Sequence, residues 1–343
     1  MTEDSPSRRP PTMRDVAGHA SVSPMTVSRV LHGDPGVSQA TRERVLAAVD
    51  SLGYRRNEVA RNLRLGRTSG LVGLVVTNLA NPFYSQFALG VESGVSPHGL
   101  KVVLTNTDED VERERRLVEE LTARRVDGVI VVPAGNDHSH LAPQPGSVPV
   151  VLGARPPSGV PLDCVLVDDF GGAREATAGL LAAGHTRLGF LGLPLSVWTS
   201  SERFRGFCVA LEEAGVTLDE RYVRLRQRTI PAAEAAAREL LELPRPPTAL
   251  FCANSRNTLG AFRAASRLGR TVSLAGFDDF ELADVLGVPL IVAYDPRELG
   301  RRAAELLLRR LNESDADAGT PAPLRIVVPT KVVRYGDPGS GHD

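Results

Sequence analysis

Residues 24–32 combine hydroxyl and arginine side chains at helical spacing, which is chemistry suited to a nucleic acid. Val27, Val30 and Leu31 lie at i, i+3 and i+4, so they would form the buried face of a helix. Five side chains would then be exposed: Met25, Thr26, Ser28, Arg29 and His32. Small hydroxyls beside an arginine can contact base edges and phosphates. We therefore expect this helix to lie in a DNA groove.

Two further helices and a tight turn would position this segment. Thr12 followed by Asp15 is close to a capping box and predicts the start of a first helix. Ser23 would cap the second helix, and Pro24 suits its first turn, where a backbone N–H is not needed. A third helix is predicted over 38–53, with a serine cap at its start and a glycine at its end. The spacing predicts a helix-turn-helix head.

Positive charge is concentrated in and around these helices. Residues 8–68 contain eleven arginines and five acids, a formal charge of about +6 within a chain of net charge −1. The rest of the chain must therefore carry about −7. A basic head on an acidic body fits a DNA-binding unit attached to another domain. A pair of charged surface helices is the alternative, and charge alone does not separate the two.

The segment after Gly53 has a helical pattern that is too short to be stable alone. Asn57 can cap a stretch that ends near Leu65, and Val59 and Leu63 share one face of it. Two turns of helix are unstable in water, so we expect this hinge to order only against DNA and a partner copy. Leu63 is either a wedge into a minor-groove step or a residue that packs on the next domain.

From Leu71 onward, short apolar runs alternate with amphipathic segments. The candidate strands are Leu71–Val76, Val102–Leu104, Val129–Val132, Val148–Leu152, Val165–Val167, Leu188–Leu191, Ala249–Cys252 and Leu274–Phe277. The candidate helices between them include Glu112–Arg125, Ala173–Ala183, Glu202–Ala214 and Ala232–Leu241. This alternation predicts parallel sheets with helices on both faces, and about eight units exceed one ordinary sheet. We therefore expect a two-lobed α/β body.

Several other classes of protein lack support in the sequence. Cys164, Cys208 and Cys252 are far apart and have no metal-ligand spacing, which favours free thiols in a reducing compartment. We find no phosphate-binding or dinucleotide-binding loop and no triad of nucleophile, base and acid, so we expect neither cofactor nor enzyme activity. The polar N-terminus does not look like a signal peptide, and no apolar run has membrane-spanning length. We expect a cytoplasmic protein with no membrane partner.

The chain resembles the LacI/GalR family of bacterial transcription regulators over essentially its whole length. In the head, the resemblance rests on Asp15-Val16-Ala17, Val22-Ser23-x-x-Thr26-Val27-Ser28-Arg29-Val30, Val37-Ser38, Thr41-Arg42 and Asn57-x-Val59-Ala60-x-x-Leu63. In the body, it rests on Asn81-Pro82-Phe83-Tyr84, Asn106-Thr107-Asp108, Asp127-Gly128-Val129-Ile130, Gly184-His185-Thr186-Arg187, Arg203-Phe204-Arg205-Gly206-Phe207 and Gly276-Phe277-Asp278-Asp279. The resemblance implies a body similar to periplasmic sugar-binding proteins, with two lobes, three crossovers and an effector cleft.

The resemblance also implies which head residues contact DNA. It places part of the second helix in the major groove and makes Leu63 the intercalating residue of the hinge. With the residues derived above, the expected DNA-contacting set is Pro24, Met25, Thr26, Ser28, Arg29, His32, Ser38, Thr41, Asn57, Ala60 and Leu63.

In the body, the resemblance implies that Arg203, Asn254 and Asp278 contact a small molecule. These side chains can together bind several hydroxyls, which suits a sugar. Each also has a structural alternative, as a surface charge, a turn residue or a helix cap. The resemblance offers four further candidates: Phe83 and Tyr84 as an aromatic wall or core, Trp198 in a polar loop as a stacking ring or a lobe cover, and Arg228, which stands where the family often has an aromatic ring over the ligand. A cation at the last position would favour a carboxylate or phosphate.

The predicted organisation has six parts. These are a disordered arm (1–11), the helix-turn-helix domain (12–56), the hinge helix and linker (57–68), an N-terminal lobe (69–167 and 294–323), a C-terminal lobe (168–293 and 324–335) and a disordered tail (336–343). The leading hypothesis is a repressor that binds a pseudo-palindromic operator as a homodimer and responds to a sugar or sugar derivative. The alternatives are a solute-binding protein with the same body and, less supported, an enzyme that acts on a sugar or nucleotide.

Overall fold

The computed structural model describes residues 11–31, 34, 36–53, 69–144, 147–281, 283–313 and 322–335 of the chain. The chain divides into two compact units, Met1–Arg67 and Thr68–Asp343. We call them the head and the body. Outside the described residues lie several of the predictions above: His32, the arm up to residue 10, the hinge helix with Asn57, Ala60 and Leu63, and the tail over 336–343.

The described part of the head consists of the helices α1 (Met13–His19), α2 (Pro24–Leu31) and α3 (Gln39–Leu52). The predicted capping box at Thr12 is confirmed, because its side chain accepts from the Asp15 N–H and the Asp15 carboxylate accepts from the Thr12 N–H. Gly53 ends α3 in the left-handed region, at φ 61°. Apolar residues from all three helices form a small separate core: Val16, Ala17, Ala20, Val27, Val30, Val45 and Ala48.

The N-terminal lobe is built on a six-stranded sheet in which every pair of neighbours is parallel. Its strands are β1 (Leu71–Val76), β2 (Lys101–Asn106), β3 (Gly128–Val131), β4 (Val150–Gly153), β5 (Asp163–Val167) and β11 (Arg325–Val328). Their order is β11-β5-β4-β3-β1-β2. The helices of this lobe are α4 (Pro82–Val95), α5 (Val111–Ala123) and α10 (Pro296–Glu313), with short 3₁₀ turns at Ser96–His98 and Ser139–Leu141.

The C-terminal lobe has a second six-stranded sheet, of order β12-β10-β9-β8-β6-β7. Its strands are β6 (Leu188–Leu191), β7 (Val223–Arg224), β8 (Ala249–Cys252), β9 (Ser273–Phe277), β10 (Leu290–Ala293) and β12 (Lys331–Arg334). Only the pair β10–β12 is antiparallel among the described strands of this sheet. Its helices are α6 (Asp169–Ala182), α7 (Trp198–Glu213), α8 (Ile230–Leu241) and α9 (Ser255–Leu268), with a 3₁₀ turn at Glu220–Tyr222. The predicted two-lobed α/β body is confirmed.

The chain crosses between the two sheets three times, after β5, after β10 and between β11 and β12. The predicted boundary at residue 324 needs correction, because Arg325–Val328 pairs with β5 in the N-terminal lobe. The last crossing therefore follows Val328. Both edge strands are four residues long, and alternation of apolar residues does not specify which sheet edge a short strand joins.

Pairs of helices in the body approach each other closely at glycines. A β-carbon on Gly90 of α4 would lie 2.1 Å from the carbonyl oxygen of Arg297, and one on Gly300 of α10 would lie 2.1 Å from that of Phe87. Similarly, Gly206 of α7 faces the Phe170 carbonyl of α6, at 2.3 Å from such an atom. Each contact is with backbone, which cannot move aside as a side-chain end can.

We expect Gly300→Ala to lower the free energy of unfolding of the body by about 1–3 kcal/mol, because the methyl group must push two helices apart. Gly179→Ala is the matched control. Its new methyl group would meet the end of the Leu290 side chain at 2.9 Å, and alanine has the higher helix propensity. Urea unfolding of both variants measures the difference. Equal stability of the two variants would contradict the close helix contact.

Candidate functional site

The outer face of α2 carries side chains that were predicted from the sequence to contact DNA. Met25 is 71% exposed, whereas Val27 and Val30 are buried. Pro24 and Arg29 are exposed, and Thr26 and Ser28 are half-buried. The Ser23 hydroxyl accepts from the Thr26 N–H at 3.1 Å and lies 2.9 Å from the Thr26 hydroxyl. This cap fixes the start of the helix and leaves its outer face accessible.

The start of α3 repeats this arrangement. The Ser38 side chain accepts from the Thr41 N–H at 3.4 Å, and its hydroxyl donates to that of Thr41 at 2.9 Å. One of the predicted DNA-contacting residues, Ser38, therefore also caps a helix, and Thr41 donates to this cap. The N-terminus of a helix presents backbone N–H groups and a partial positive charge, which favour a phosphate.

Arg29 has a partner that sequence reasoning did not identify. Its Nε donates to Asp34 Oδ2 at 2.8 Å, and this hydrogen bond raises the pKa of Arg29. Asp34 Oδ1 accepts from the Gly36 N–H, and the Asp34 carbonyl accepts from Arg42 at 2.8 Å. The carboxylate thus orients the guanidinium of Arg29 at the surface of the head.

A cleft of about 680 Å³, counting the solvent in its mouth, lies between the two lobes of the body. Six of the seven residues predicted for the effector line it: Phe83, Tyr84, Arg203, Arg228, Asn254 and Asp278. Trp198 is not among the lining residues, although its neighbour Thr199 is. Trp198 is the first residue of α7 and half-buried, so the predicted polar loop at this position is corrected to a helix start.

Arg203 is at the centre of a buried polar cluster. It is 6% exposed, and its Nε donates to Asp169 Oδ1 at 2.7 Å. Its Nη1 donates to the Ala253 carbonyl, and its Nη2 lies 3.4 Å from Asp278 Oδ1. The guanidinium carbon lies 3.6 Å from the centre of the Phe277 ring. Arg203 is therefore held rigidly at the floor of the cleft rather than on a helix surface.

Three groups of this cluster, Asp169, Arg203 and Tyr294, have shifted pKa values. Burial raises the pKa of Asp169 to about 6, although Arg203 opposes this shift. Burial lowers the pKa of Arg203, but Asp278 and Asp169 outweigh it and raise the value overall. Burial and then Asp278 raise the pKa of Tyr294, whose hydroxyl donates to Asp278 Oδ1 at 2.9 Å. Tyr294 therefore keeps its proton and holds Asp278, which has a left-handed φ of 66°.

The N-terminal lobe contributes a second buried ion pair that the sequence did not suggest. Arg155 is 5% exposed and donates to both oxygens of Glu109, at 2.6 and 2.8 Å. It also donates to the Pro133 carbonyl at 2.6 Å. Burial raises the pKa of Glu109, but the hydrogen bonds and charge of Arg155 lower it overall. Both residues line the cleft, and 46 positions along the chain separate them.

Asn254 lines the cleft and is also a helix cap, a structural role that differs from the turn residue offered as its alternative. It caps α9, because its Oδ1 accepts from the Asn257 N–H at 2.9 Å, and it also lines the cleft. Tyr84 is likewise both core and wall: it is 7% exposed, and its hydroxyl lies 2.5 Å from that of Thr77. Phe83 is half-buried, and its ring packs edge-on against Tyr84 at 4.9 Å.

The described residues support neither a metal site nor a membrane-spanning helix. In that part of the chain, no three His, Cys, Asp or Glu side chains are grouped to hold a metal ion. Nor does any described helix combine the length and apolar character that crossing a bilayer requires.

Two family models match the chain and together span nearly all of its described residues. The model for bacterial regulatory proteins of the lacI family matches residues 12–57. The model for periplasmic binding proteins and the sugar binding domain of the LacI family matches residues 69–330.

Curated proteins with similar sequences are regulators. The HTH-type transcriptional regulator CelR of Thermobifida fusca is 36% identical over 340 residues, which cover 95% of this chain and 98% of that protein. The HTH-type transcriptional repressor PurR of Vibrio atlanticus is 32% identical over 311 residues, which cover 89% and 93%.

Solved structures agree with these matches. A CelR–cellobiose complex has a TM-score of 0.70 and 33% identity, and the match covers 95% of this chain and 99% of that one. The lac repressor dimer bound to operator and the anti-inducer ONPF has a TM-score of 0.77 and 28% identity, with 95% and 98% covered.

Proposed function

Because this chain belongs to the LacI family of bacterial regulatory proteins, we propose that two copies of it hold one operator and that a small molecule in the cleft controls this binding. The chain is a ligand-responsive, helix-turn-helix transcriptional regulator. One observation carries the proposal: a head with an exposed hydroxyl and arginine face is joined to a body with a buried polar cleft. The named relatives include repressors, and we propose repression as the mode of action.

The DNA contacts follow from the faces of the head. We propose that Pro24, Met25, Thr26, Ser28 and Arg29 of α2 enter a major groove and that the starts of α2 and α3, with Ser38 and Thr41, meet phosphates. The proposed set also includes His32, from the helical spacing, and Asn57, Ala60 and Leu63, by resemblance. A dimer would place two such heads on a pseudo-palindrome. Since its target is chromosomal DNA, the protein would act in the cytoplasm.

The effector is proposed to be a small polyhydroxylated molecule. Asp278 and Asn254 supply an acceptor and a donor at the cleft wall, and Phe83 adds an apolar surface on which a sugar ring can lie. One relative was solved with cellobiose, which supports a saccharide as the ligand class. Arg203, Asp278 and Asn254 are held by ion pairs, a hydrogen bond or a helix cap, which fits binding of a ligand rather than its turnover.

A solute-binding protein without regulatory DNA binding is the second candidate, because the body alone would suffice for it. The experiment that separates the two uses the full-length protein and sheared genomic DNA from its own host. Fragments that it retains are sequenced, and the affinity for the best fragment is measured with and without a panel of saccharides. We expect a recurrent pseudo-palindrome whose affinity changes with at least one saccharide. Uniform retention of all fragments would reject the regulator.

Arg29→Ala should weaken specific operator binding by about 1–3 kcal/mol, because a guanidinium that contacts a base or a desolvated phosphate supplies roughly that much. Fluorescence anisotropy with the operator fragment measures the change. Arg115→Ala is the control, since it removes the same charge from the body, at a side chain that is 43% exposed. If the two variants bind the operator equally well, Arg29 does not contact DNA.

A further inference from the structure

Charged side chains line the cleft in unequal numbers. Four are arginines and three are acids: Arg155, Arg203, Arg228, Arg256, Glu109, Asp169 and Asp278. When all seven of these side chains are ionised, the cleft has one positive charge in excess. Ligand selection depends on where that excess lies.

The acids of the cleft are already engaged with two of the arginines. Both oxygens of Glu109 accept from Arg155. Asp169 and Asp278 both pair with Arg203, at 2.7 and 3.4 Å. Arg155 and Arg203 are therefore neutralised within the protein, and neither has a full charge left for a ligand.

Within the described residues, Arg228 and Arg256 have no acid within ion-pair distance, although both line the cleft and the charge of Arg228 still acts on Glu109 from further away. They lie on one wall of the C-terminal lobe. The Asn257 side chain donates to the Gln227 carbonyl at 2.9 Å, which ties the residue next to Arg256 to the residue next to Arg228. The excess positive charge is thus gathered at one place.

The same wall carries a third donor. Asn254 is 7% exposed, and its Oδ1 is used by the cap of α9. Among the described residues its Nδ2 has no protein partner, while the side chain lines the cleft. It stands at the N-terminus of a 14-residue helix, whose partial positive charge favours an anion.

Given the regulator proposed above, on which this inference rests, we propose that its effector carries an anionic group, a carboxylate or a phosphate monoester, bound by Arg228, Arg256 and the Nδ2 of Asn254. The anion would pair with the two free guanidiniums, which bind such groups through charge-assisted hydrogen bonds. The hydroxyls of the ligand would then face Asp278 across the cleft. A neutral saccharide would leave both guanidiniums at the cleft without a counter-charge.

The test uses the full-length protein and matched sugars at constant ionic strength. The probes are D-glucose, D-glucuronate and D-glucose 6-phosphate, the galactose series, and inorganic phosphate alone. Thermal shift and calorimetry are measured for the wild type and for Arg228→Gln/Arg256→Gln. Arg226→Gln is the control, because Arg226 is exposed two residues from Arg228 and does not line the cleft. The melting temperature without probe reports whether each variant folds.

We expect at least one acidic probe to bind the wild type better than its neutral counterpart, and the double variant to lose about tenfold or more of that affinity. The control should bind like the wild type. Whether a uronate or a sugar phosphate binds better identifies the anion. If no acidic probe stabilises the protein beyond matched sodium chloride, or if the double variant binds acidic probes unchanged, the anion site is wrong.

These outcomes are distinct from failure of the proposed function. A neutral saccharide that binds and alters operator affinity equally in the double variant would overturn the anion site and leave the regulator intact. A protein that retains all genomic fragments equally would reject the regulator, whatever the anions do.

Discussion

Arg203→Met is expected to abolish the response to effector and to lower the free energy of unfolding of the body by about 3–5 kcal/mol. The substitution keeps much of the side-chain volume but removes the charge between two acids. Asp169 is 2% exposed, and without Arg203 its carboxylate has no charged partner at the cleft floor. Urea unfolding and operator binding with and without effector measure the two effects.

Arg205→Met is the matched control for this variant. Arg205 lies on the same helix, its side chain is 54% exposed, and it pairs with Glu202 at the surface. Exposed ion pairs of this kind contribute little to stability, so we expect a change of less than about 1 kcal/mol and a normal effector response. The head has its own core, so operator binding without effector should persist in both variants. If Arg203→Met still responded to effector, the buried cluster would not be the sensor.

Glu109→Gln should also cost about 3–5 kcal/mol, because it leaves Arg155 buried without a counter-charge. The wild-type carboxylate accepts from both Nη atoms, and an amide can supply only one acceptor oxygen to them. Glu112→Gln is the control, since the Glu112 side chain is 68% exposed and lies 3.8 Å from Arg115. Chemical unfolding at pH 7 measures the free energy of unfolding of both variants.

The difference in stability between the wild type and Glu109→Gln should depend on pH, and the direction of this dependence follows from the pKa of Glu109. Burial opposes ionisation, but Arg155 outweighs it, so the pKa of Glu109 is below its ordinary value of 4.5 in the folded protein. The stability that ionised Glu109 contributes is therefore present above that value and is lost as the pH falls through the folded pKa. We expect the wild type and Glu109→Gln to converge in stability below pH 4.5, relative to their difference at pH 7. A constant difference would mean that the variant acts through packing alone.

The parts of the fold that were predicted correctly are those whose sequence patterns extend over only a few residues. The capping box at Thr12, the glycine at the end of α3 and the alternation of β1 with its neighbours all act over a few residues. The start of α7 was missed because it has no such local pattern. Its cap is Val197, which makes no side-chain hydrogen bond to the helix, so no capping residue indicated the start.

The missed parts of the site come from segments far apart in the chain. Arg203 and Asp169 meet across 34 positions, and Arg155 and Glu109 across 46. Nothing in the local pattern of an arginine indicates that it will be buried, because burial depends on the acid that tertiary structure brings to it. The order of strands at the sheet edges has the same origin, and β11 was therefore assigned to the wrong lobe.

All three crossings connect one edge of each sheet. In the N-terminal lobe this edge is formed by β5 and β11, and in the C-terminal lobe by β10 and β12. The opposite margins, β2 and β7, are four or five strands away. At about 4.8 Å per strand, this is a lever arm of about 20 Å. A ligand that turned one lobe by about 10° around these crossings would displace the distant strands by about 3–4 Å, whereas residues next to the crossings would barely shift. A small rotation of one lobe would thus produce a much larger displacement at the far edge of its sheet.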